Sequence, residues 1–343
     1  MSRTIEDLRM KQALPLDVKI SLTRERIRQW VNEFGEDGVY VSFSGGKDST
    51  VLLDIVRNVC GYKDIPAVFV DVPTQFPELR DFAKTFDNIE ILKPKISFME
   101  VCEKYGFPLI SKDVSLFVWQ IQQPISEKNA KTHNLRLNGI RSDGTKVIVG
   151  KLPEKYKPLA NAPFRLHYAC CNVMKKDPLH KYTKQTDRKP ITAQMAEESM
   201  VRSRKWLQNG CNAFDVKHPI SNPMSFWTEN DVLTYVVKNK LKICSVYGDV
   251  IEDYGDQVEG QMDFGDFGLY PSQKKYKCTG CRRTGCMLCG FGCHLESSPN
   301  RFETLKVTHP GMYKLLDVVK NNGVTMREAI EWINEHCGLN IIT

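Results

Sequence analysis

Residues 44–49 have the types and order of a phosphate-binding loop. They read Ser44-Gly45-Gly46-Lys47-Asp48-Ser49 and directly follow the apolar run 39–43. Glycines let the backbone approach a ligand closely, and the free N–H groups at a helix N-terminus point at an anion. Lys47 adds a positive charge, and the two serines add hydroxyl donors. The order of strand, loop and helix therefore predicts an anion-binding cradle, with an ordinary Gly-Gly turn as the alternative interpretation.

Cysteines form the second group of residues that could do chemistry. The chain has 12 cysteines, and five lie within 16 residues: Cys278, Cys281, Cys286, Cys289 and Cys293. In a reducing compartment such crowding favours metal binding over disulfides. The two C-x2-C pairs are only four residues apart, whereas zinc fingers and ribbons place about 12–20 residues between their pairs. Short spacings with interleaved glycines are typical of iron–sulfur sites.

Adjacent Cys170 and Cys171 extend this cysteine set. Neighbouring side chains on a helix diverge by about 100°, so they rarely bind one zinc ion together. A [4Fe–4S] cluster spreads its irons further apart. We predict such a cluster, held by Cys171, with or without Cys170, and by two or three of Cys278, Cys281, Cys286 and Cys289. A zinc site and free redox thiols are the alternatives.

The elements around the loop predict an α/β fold, a doubly wound parallel sheet. Strands are expected at 38–43, 67–72, 89–92 and 190–194, and helices at 49–60, 77–87, 97–105, 172–184 and 198–207. Strands that alternate with helices form parallel sheets with right-handed crossovers. Ligands of such sheets bind at the carboxyl ends of the strands, where the loop and Asp71 both fall.

Three consecutive segments are expected. Residues 1–37 form an N-terminal helical segment with a helix at 16–34, and residues 38–240 form a nucleotide-binding α/β domain. That domain contains an insertion at about 111–165, a candidate substrate lid with a helix at 113–122 and a strand-like run at 146–149. A helix is expected at 228–239, with Thr228 as its N-cap. Residues 241–343 form a cysteine-rich metal-cluster region, with a long surface loop at 245–277 and helices at 309–321 and 325–335.

Composition limits the class of protein. The chain has 343 residues and a net charge of +7. No apolar run reaches the roughly 18 residues that a membrane span needs, and the first residues lack a signal-peptide core. We expect a cytoplasmic protein without membrane contact. The charge permits binding of nucleic acid, although a solvated basic surface explains it equally well.

The loop resembles the PP-loop of the adenine nucleotide α-hydrolase-like ATP pyrophosphatases. In that superfamily the loop holds the pyrophosphate of ATP while the α-phosphate is attacked. The resemblance implies a nucleotide site formed by Ser44, Gly45, Gly46, Lys47, Asp48, Ser49 and Asp71, with Mg²⁺ at the two aspartates. For Asp48, a helix N-terminal charge is the alternative.

Three further stretches resemble the phosphoadenosine phosphosulfate (PAPS) reductase-like family. Cys170-Cys171 with Lys175 and Pro178-Leu179 is similar to the helix in which adenylylsulfate reductases bind a [4Fe–4S] cluster. Residues 192–202 resemble the family's Gly-x-Arg-x-x-Glu-Ser…Arg substrate segment, and 219–232 resemble its Pro-Leu…Trp-Thr-x-x-Asp-Val segment. The resemblance implies substrate binding by Lys175, Lys176, Glu198, Ser199 and Arg202.

Departures from the family pattern bear on the reaction. Ala193 and Met195 replace the glycine and arginine of the substrate segment, and Asn340 stands where the Cys-Gly-x-His tail has histidine. Sulfonucleotide reductases commonly lose the intact loop, which this chain keeps. The stretch 285–289 resembles the Gly-Cys-x-x-Cys segment of a PP-loop protein of DNA phosphorothioation systems, and PP-loop tRNA thiolases also combine ATP with a cysteine-bound cluster.

Among the functions compatible with the resemblance, the leading hypothesis is an ATP-dependent, iron–sulfur sulfurtransferase that adenylates an acceptor, with tRNA or DNA as candidates. Lys47, Asp48 and Cys293 are the expected catalytic residues. A cysteine desulfurase or a thioredoxin-like reductant is the expected partner. The first alternative is a PAPS or adenylylsulfate reductase with Cys293 or Cys337 as nucleophile. The second is a non-catalytic nucleotide-sensing or nucleic-acid-binding regulator.

Overall fold

The chain divides into two units in a computed structural model that describes residues 3–254 and 274–342. The sheet unit comprises Met1–Asp71, Phe76–Leu92 and Leu179–Thr284, and the cysteine unit comprises Val72–Gln75, Lys93–Pro178 and Gly285–Thr343. Each unit is assembled from separate stretches of the chain. The consecutive boundaries expected from the sequence stay predictions.

The described strands are short. They are β1 Val39–Phe43, β2 Ala67–Val70, β3 Ile89–Leu92, β4 Leu109–Ile110, β5 Lys189–Ile191, β6 Asn212–Ala213, β7 Ile220–Ser221, β8 Val250–Glu252, β9 Tyr276–Cys278, β10 Gly290–Phe291, β11 Lys320–Asn321 and β12 Val324–Thr325. The sheet unit contains a six-stranded sheet in the order β3-β2-β1-β5-β7-β6. All neighbours pair in parallel except β6 with β7. The predicted α/β fold with a mostly parallel sheet is confirmed.

Helices connect these strands and fill the second unit. They are α1 Ile5–Gln12, α2 Leu16–Phe34, α3 Lys47–Asp54, α4 Pro77–Ala83, α5 Phe98–Tyr105, α6 Lys112–Gln122, α7 Ala130–Asn138, α8 Asp177–Thr186, α9 Met200–Asn209, α10 Glu229–Lys238, α11 Arg301–Thr308, α12 Pro310–Tyr313 and α13 Met326–Cys337. Two π-helical turns, Ile55–Val59 and Asn172–Lys176, adjoin α3 and α8. None of the helices in the described residues is long and apolar enough to cross a membrane.

Strand β1 shows why the sheet is covered on both faces. Val39, Val41 and Phe43 join a large core that includes residues of α2, α3 and α10. Tyr40, between them, points to the other face and packs edge-on against Tyr182 of α8 at 5.1 Å between ring centroids. Alternate residues of a strand face opposite sides, so an apolar run predicts a strand buried on both. The phosphate-type loop follows β1 directly, at the carboxyl end of this strand.

The predicted strand at 146–149 is wrong. Only Lys146 forms a bridge, with Ile140, while Ile148 is 91% exposed and Val149 is 82% exposed. Three β-favouring residues in a row do not form a strand without a neighbouring strand and a core face to cover. A helix that the sequence did not predict, α7, lies in the same stretch.

The predicted helix at 309–321 is also interrupted. After α12 and a 3₁₀ turn, the chain enters the hairpin of β11 and β12. Asn322 and Gly323 both have positive φ, 51° and 82°, which suits a tight two-residue turn. Buried Asn321 donates to the carbonyl oxygens of Cys102 and Glu103 at the end of α5, at 2.9 and 3.0 Å. That buried amide explains why the helix stops.

The predicted surface loop at 245–277 is partly an ordered hairpin. Strands β8 and β9 pair antiparallel at its two ends, so both ends are held by backbone hydrogen bonds. The remainder of that prediction, residues 255–273, lies outside the described residues.

Candidate nucleotide-binding site and cysteine pocket

The loop after β1 requires glycine at its first bend. Gly45 has a φ of 73°, and a Cβ there would lie 3.0 Å from the carbonyl oxygen of Leu79. A side chain would therefore strain both the backbone and the packing. Gly46 follows as the N-cap of α3, so the helix N-terminus opens directly from the loop. This geometry aims backbone N–H groups and the helix dipole in the direction expected for an anion site.

The loop serines hold the bend in shape. Their hydroxyl oxygens lie 3.0 Å apart, and Ser44 Oγ accepts from the Gly46 N–H at 3.3 Å. Ser49 Oγ donates to the Gly46 carbonyl oxygen at 2.9 Å. Short side-chain bonds of this kind offer the chain an alternative to continuing the strand. The serines thus preorganise the loop as well as offering donors to a ligand.

Lys47 is buried, with 3% of its surface exposed. Its Nζ donates to the carbonyl oxygen of Arg282 at 3.1 Å and lies 3.3 Å from Glu229 Oε1. Its backbone N–H donates to the hydroxyl of Tyr247 at 3.2 Å. Burial raises the pKa of Tyr247 to about 12, so this hydroxyl stays neutral. The amide and the ammonium of Lys47, which could both meet a phosphate, therefore already donate to acceptors of the protein.

Asp48 is the acidic residue of the loop, and the protein satisfies its carboxylate poorly. Its Oδ1 is buried without a hydrogen-bond partner, and its ion pair with Lys47 is long, at 3.8 Å. Burial raises the pKa of Asp48, opposed by the positive charge of Lys47. An unsatisfied carboxylate oxygen beside a phosphate-type loop suits a hard cation such as Mg²⁺.

Charges from three later segments surround the same loop. Glu229 also accepts from Arg282 at 3.0 Å, and although its burial opposes ionisation, Arg282 and Lys47 together lower its pKa. Arg202 and Arg283 act electrostatically on Asp48. The mouth of the loop is thus a mixed-charge site in which each cation has a nearby carboxylate.

The other sequence-predicted residues of the sheet unit have these positions. Asp71 follows β2, at the same carboxyl edge of the sheet as the loop, and its N–H donates to Leu92 O at 2.8 Å. Ser199 caps α9 by accepting from the Arg202 N–H at 3.3 Å. Glu198 accepts from the Met195 N–H at 3.2 Å and pairs with Arg202. Ser199, Glu198 and Arg202 therefore each have a structural role. Their role in substrate binding stays a prediction.

Four cysteines of the cysteine unit line one pocket. Its lining residues are Phe98, Pro108, Cys170, Cys171, Met174, Lys175, Cys286, Cys289 and Phe291. The two adjacent cysteines precede the π-helical turn Asn172–Lys176, a feature that often marks functional sites. Apart from Lys175 the wall is mostly apolar. Sequence reasoning named all four cysteines, and Lys176, next to the pocket residue Lys175, is exposed.

Backbone geometry brings the second cysteine pair to this pocket. Strand β10 begins directly after Cys289 and pairs in parallel with β4. A Cβ on Gly290 would lie 2.3 Å from a methyl carbon of Leu109, so a larger residue would force that buried side chain to move. Arg301 donates to the carbonyl oxygen of Cys289 at 2.6 Å and so fixes the turn between Cys286 and the strand.

Chemistry of the pocket is that of soft ligands. Burial raises the pKa of Cys170, and the neighbouring cysteines raise it further. Burial also raises the pKa of Cys289. Thiols that mutually oppose ionisation release that strain when a cation binds them, and sulfur ligands select Fe–S centres, Zn²⁺ or Cu(I). Within residues 3–254 and 274–342, no group of three or more His, Cys, Asp or Glu side chains is close enough to bind a single metal ion.

The remaining predicted cysteines lie elsewhere. Cys278 and Cys281 belong to the sheet unit, and burial raises the pKa of both. Cys293 is buried, donates to Gly290 O at 2.8 Å and has a pKa raised by burial to about 11. Cys337 is buried at the end of α13, and burial raises its pKa. All twelve cysteines of the chain are free.

Sequence reasoning missed three residues that contact the loop lysine. Glu229 was part of a recognised motif but received no role, and Arg282 lay between two recognised cysteines. Tyr247 carried no local signal, because its contact with Lys47 spans 200 positions of the chain. Only the Glu229 motif could have suggested its residue.

The chain matches a known protein family over most of its length. The phosphoadenosine phosphosulfate reductase domain matches in two overlapping stretches, residues 38–146 and 126–290. These stretches cover more than half of the chain, and the protein belongs to this PAPS reductase-like family of the PP-loop superfamily. Proteins of this family are generally enzymes that bind nucleotides.

A solved structure of a related enzyme is similar to this chain. The chain is similar to a phosphoadenylyl-sulfate (PAPS) reductase from Candida auris, solved as a phosphate complex, with 16% identity and a TM-score of 0.37. That similarity covers 74% of this chain and 97% of the other. No curated protein sequence matches this chain.

Proposed function

We propose that this protein is an ATP-dependent sulfurtransferase that adenylates an acceptor and then replaces the activated oxygen with sulfur. The observation that carries the proposal is the complete loop, with Gly45 at positive φ, buried Lys47 at the start of α3 and an unsatisfied Asp48 oxygen. A family member that only cleaved sulfonucleotides would have no need of a loop preorganised for pyrophosphate.

The proposed reaction has two steps. An acceptor oxygen attacks the α-phosphorus of ATP, which forms the adenylated acceptor and releases pyrophosphate. A persulfide sulfur from a donor such as a cysteine desulfurase then bonds to the activated carbon or phosphorus atom of the acceptor while AMP leaves. A thioredoxin-like reductant supplies two electrons to cleave the remaining S–S bond. In the first step Lys47 stabilises the charge that develops on pyrophosphate, and Asp48 and Asp71 bind Mg²⁺.

The cysteine pocket supports the sulfur half of this proposal. Cys170, Cys171, Cys286 and Cys289 would hold a [4Fe–4S] cluster, with zinc as the alternative. When bound, such a cluster would supply redox chemistry next to the site of sulfur transfer. Lys175 lies in the wall of this pocket and would attract an anionic substrate. Free thiols throughout the chain suit the cytoplasmic location that we also propose.

A PAPS or adenylylsulfate reductase is the second candidate. The family match and the position of Lys175 among the cysteines favour it. A reductase needs a thiolate that attacks the sulfur of the sulfonucleotide. Because burial raises the pKa of Cys293 to about 11, that thiol is protonated at neutral pH. Cys337 is buried as well, so neither candidate nucleophile is activated in this arrangement.

One anaerobic experiment separates the functions. Purified protein receives labelled ATP, Mg²⁺, persulfide donor and either total tRNA or DNA, and in parallel PAPS or adenylylsulfate with thioredoxin. Release of AMP and pyrophosphate together with sulfur in the nucleic acid, found by mass spectrometry, supports the transferase. Sulfite without ATP consumption supports the reductase. Nucleotide binding with neither product would leave a sensing protein, and the proposal would be wrong.

A further inference from the structure

The segment that contains the first cysteine pair and the residues just after it lies against the phosphate-type loop. We call residues 278–284 the strap. Its Arg282 carbonyl oxygen accepts from Lys47 Nζ at 3.1 Å. Its Thr284 Oγ1 lies 3.0 Å from the hydroxyl of Tyr247, and that hydroxyl accepts from the Lys47 N–H at 3.2 Å. Strap and tyrosine together engage the amide and the ammonium of one loop residue.

Three hydrogen bonds, two of them between backbone groups, join the strap to the chain around Tyr247. The Gly280 N–H donates to the Tyr247 carbonyl oxygen at 2.8 Å, and the Cys281 N–H donates to Val246 O at 2.8 Å. The Asp249 N–H donates to Thr279 Oγ1 at 2.9 Å. Because three bonds tie the two stretches, they form one structural element, and any movement of Tyr247 away from the loop would carry the strap with it.

This element occupies the space that phosphate oxygens would need. A Cβ added to Gly46 would lie 3.0 Å from the Tyr247 hydroxyl oxygen and 3.5 Å from Thr284 Oγ1. The Tyr247 hydroxyl and the Arg282 carbonyl oxygen lie at hydrogen-bond distance from the amide and the ammonium of Lys47. A phosphate oxygen would bind the same protons at about 2.7–3.2 Å. The Lys47 amide has a single proton, so a phosphate oxygen must compete with the Tyr247 hydroxyl for it, and it competes with the Arg282 carbonyl oxygen for an ammonium proton.

Glu229 is a third acceptor on the same lysine. Its Oε1 lies 3.3 Å from Lys47 Nζ, while its Oε2 accepts from Arg282 Nη2 at 3.0 Å. The carboxylate therefore holds the lysine and the strap at once. A phosphate approaching Lys47 would meet this negative charge as well as the two neutral oxygens.

We propose that Tyr247, Glu229 and the strap form an internal gate, which competes with the phosphates of the nucleotide for Lys47 and must withdraw before they bind. The inference rests on the proposed function only in that the loop binds phosphates. Removing an acceptor from the gate leaves a Lys47 donor poorly satisfied in the closed state. That destabilises the closed state relative to the phosphate-bound state, and affinity rises.

The test measures affinity for inorganic pyrophosphate with Mg²⁺ by calorimetry, on the full chain. We expect Tyr247→Phe and Glu229→Gln each to bind about three- to tenfold more tightly than the unchanged protein, as expected for the loss of one internal hydrogen bond of about 1 kcal/mol. Tyr182→Phe is the matched control, since its hydroxyl donates to Glu90 and not to the loop. It should leave affinity unchanged.

Other results would overturn the gate. Equal or weaker binding by both variants, with binding by the unchanged protein, shows that these side chains help to hold the phosphate, and the proposed function survives. Binding by no protein sample at all overturns the gate and the proposed function together. If Tyr247→Phe does not fold, Thr284→Val takes its place, because it removes the other partner of the same hydroxyl and should also tighten binding.

Discussion

Lys19 and Asp231 form a buried ion pair, with 2.6 Å between Nζ and Oδ2 and 2% and 6% of the two side chains exposed. Asp231 also closes the capping box at the start of α10, where it accepts from the Thr228 N–H at 2.6 Å. The first residue of α10 is Glu229, which contacts Lys47. The N-terminal helix α2 therefore anchors the helix whose end contacts the loop lysine.

Lys19→Met should destabilise the fold. The substitution removes the positive charge that pairs with Asp231 and leaves its carboxylate buried. Removing one partner of a comparable buried ion pair costs about 3–5 kcal/mol. Urea unfolding measures the effect. Lys238→Met is the control, because its pair with Asp17 is exposed and such pairs contribute about 0–1 kcal/mol. Equal losses in the two variants would contradict this account.

Asp48→Asn should stabilise the protein at neutral pH while it impairs Mg²⁺-dependent turnover. Burial raises the pKa of Asp48 from its ordinary 3.8. When folding raises the pKa of a group, the stability that the group contributes is fully present at pH values below its ordinary pKa. That stability is lost as the pH rises through the raised pKa. We expect the variant to melt about 2 °C or more above the unchanged protein at pH 7, with the difference vanishing near pH 3. A difference that does not depend on pH would exclude Asp48 as the cause.

Lys47→Met should strongly slow the release of pyrophosphate from ATP. Loss of one preorganised cation at a developing charge typically lowers a rate by about 10²–10³-fold. A coupled pyrophosphate assay measures the rate, and circular dichroism verifies folding. Lys84→Met is a suitable control, because this lysine is more than half exposed and pairs with exposed Asp81. A reduction of less than about tenfold would remove Lys47 from the proposed mechanism.

Serine substitutions distinguish the cysteines that bind iron. Single changes at Cys170, Cys171, Cys286 and Cys289 should each lower the iron content of anaerobically purified protein and its absorbance near about 400 nm, since an oxygen replaces a soft sulfur ligand. Cys60→Ser, outside the pocket, should retain both. The same measurement on Cys278→Ser and Cys281→Ser tests the predicted ligands in the sheet unit. Full iron content in all four pocket variants would contradict the cluster.

Local pattern predicted most of the framework. Helix α2 begins and ends where its periodicity indicated, and Thr228 is the N-cap of α10. These features depend on residues within a turn or two of one another. The run at 146–149 does not form a strand because it has no neighbouring strand to pair with. The helix expected at 309–321 is interrupted because a buried asparagine donates hydrogen bonds to a distant helix. Local propensity competes poorly with such contacts.

The amino-acid order alone determined the phosphate-type loop, the family and the supply of sulfur ligands, because each depends on residue types at short, fixed spacings. Folding decided which groups face the loop lysine and which cysteines share a pocket. The Tyr247 contact joins residues 200 positions apart, and Cys171 and Cys286 come together only through the pairing of β4 with β10. Distances of that kind are set by the packing of whole elements, which no short stretch of sequence encodes.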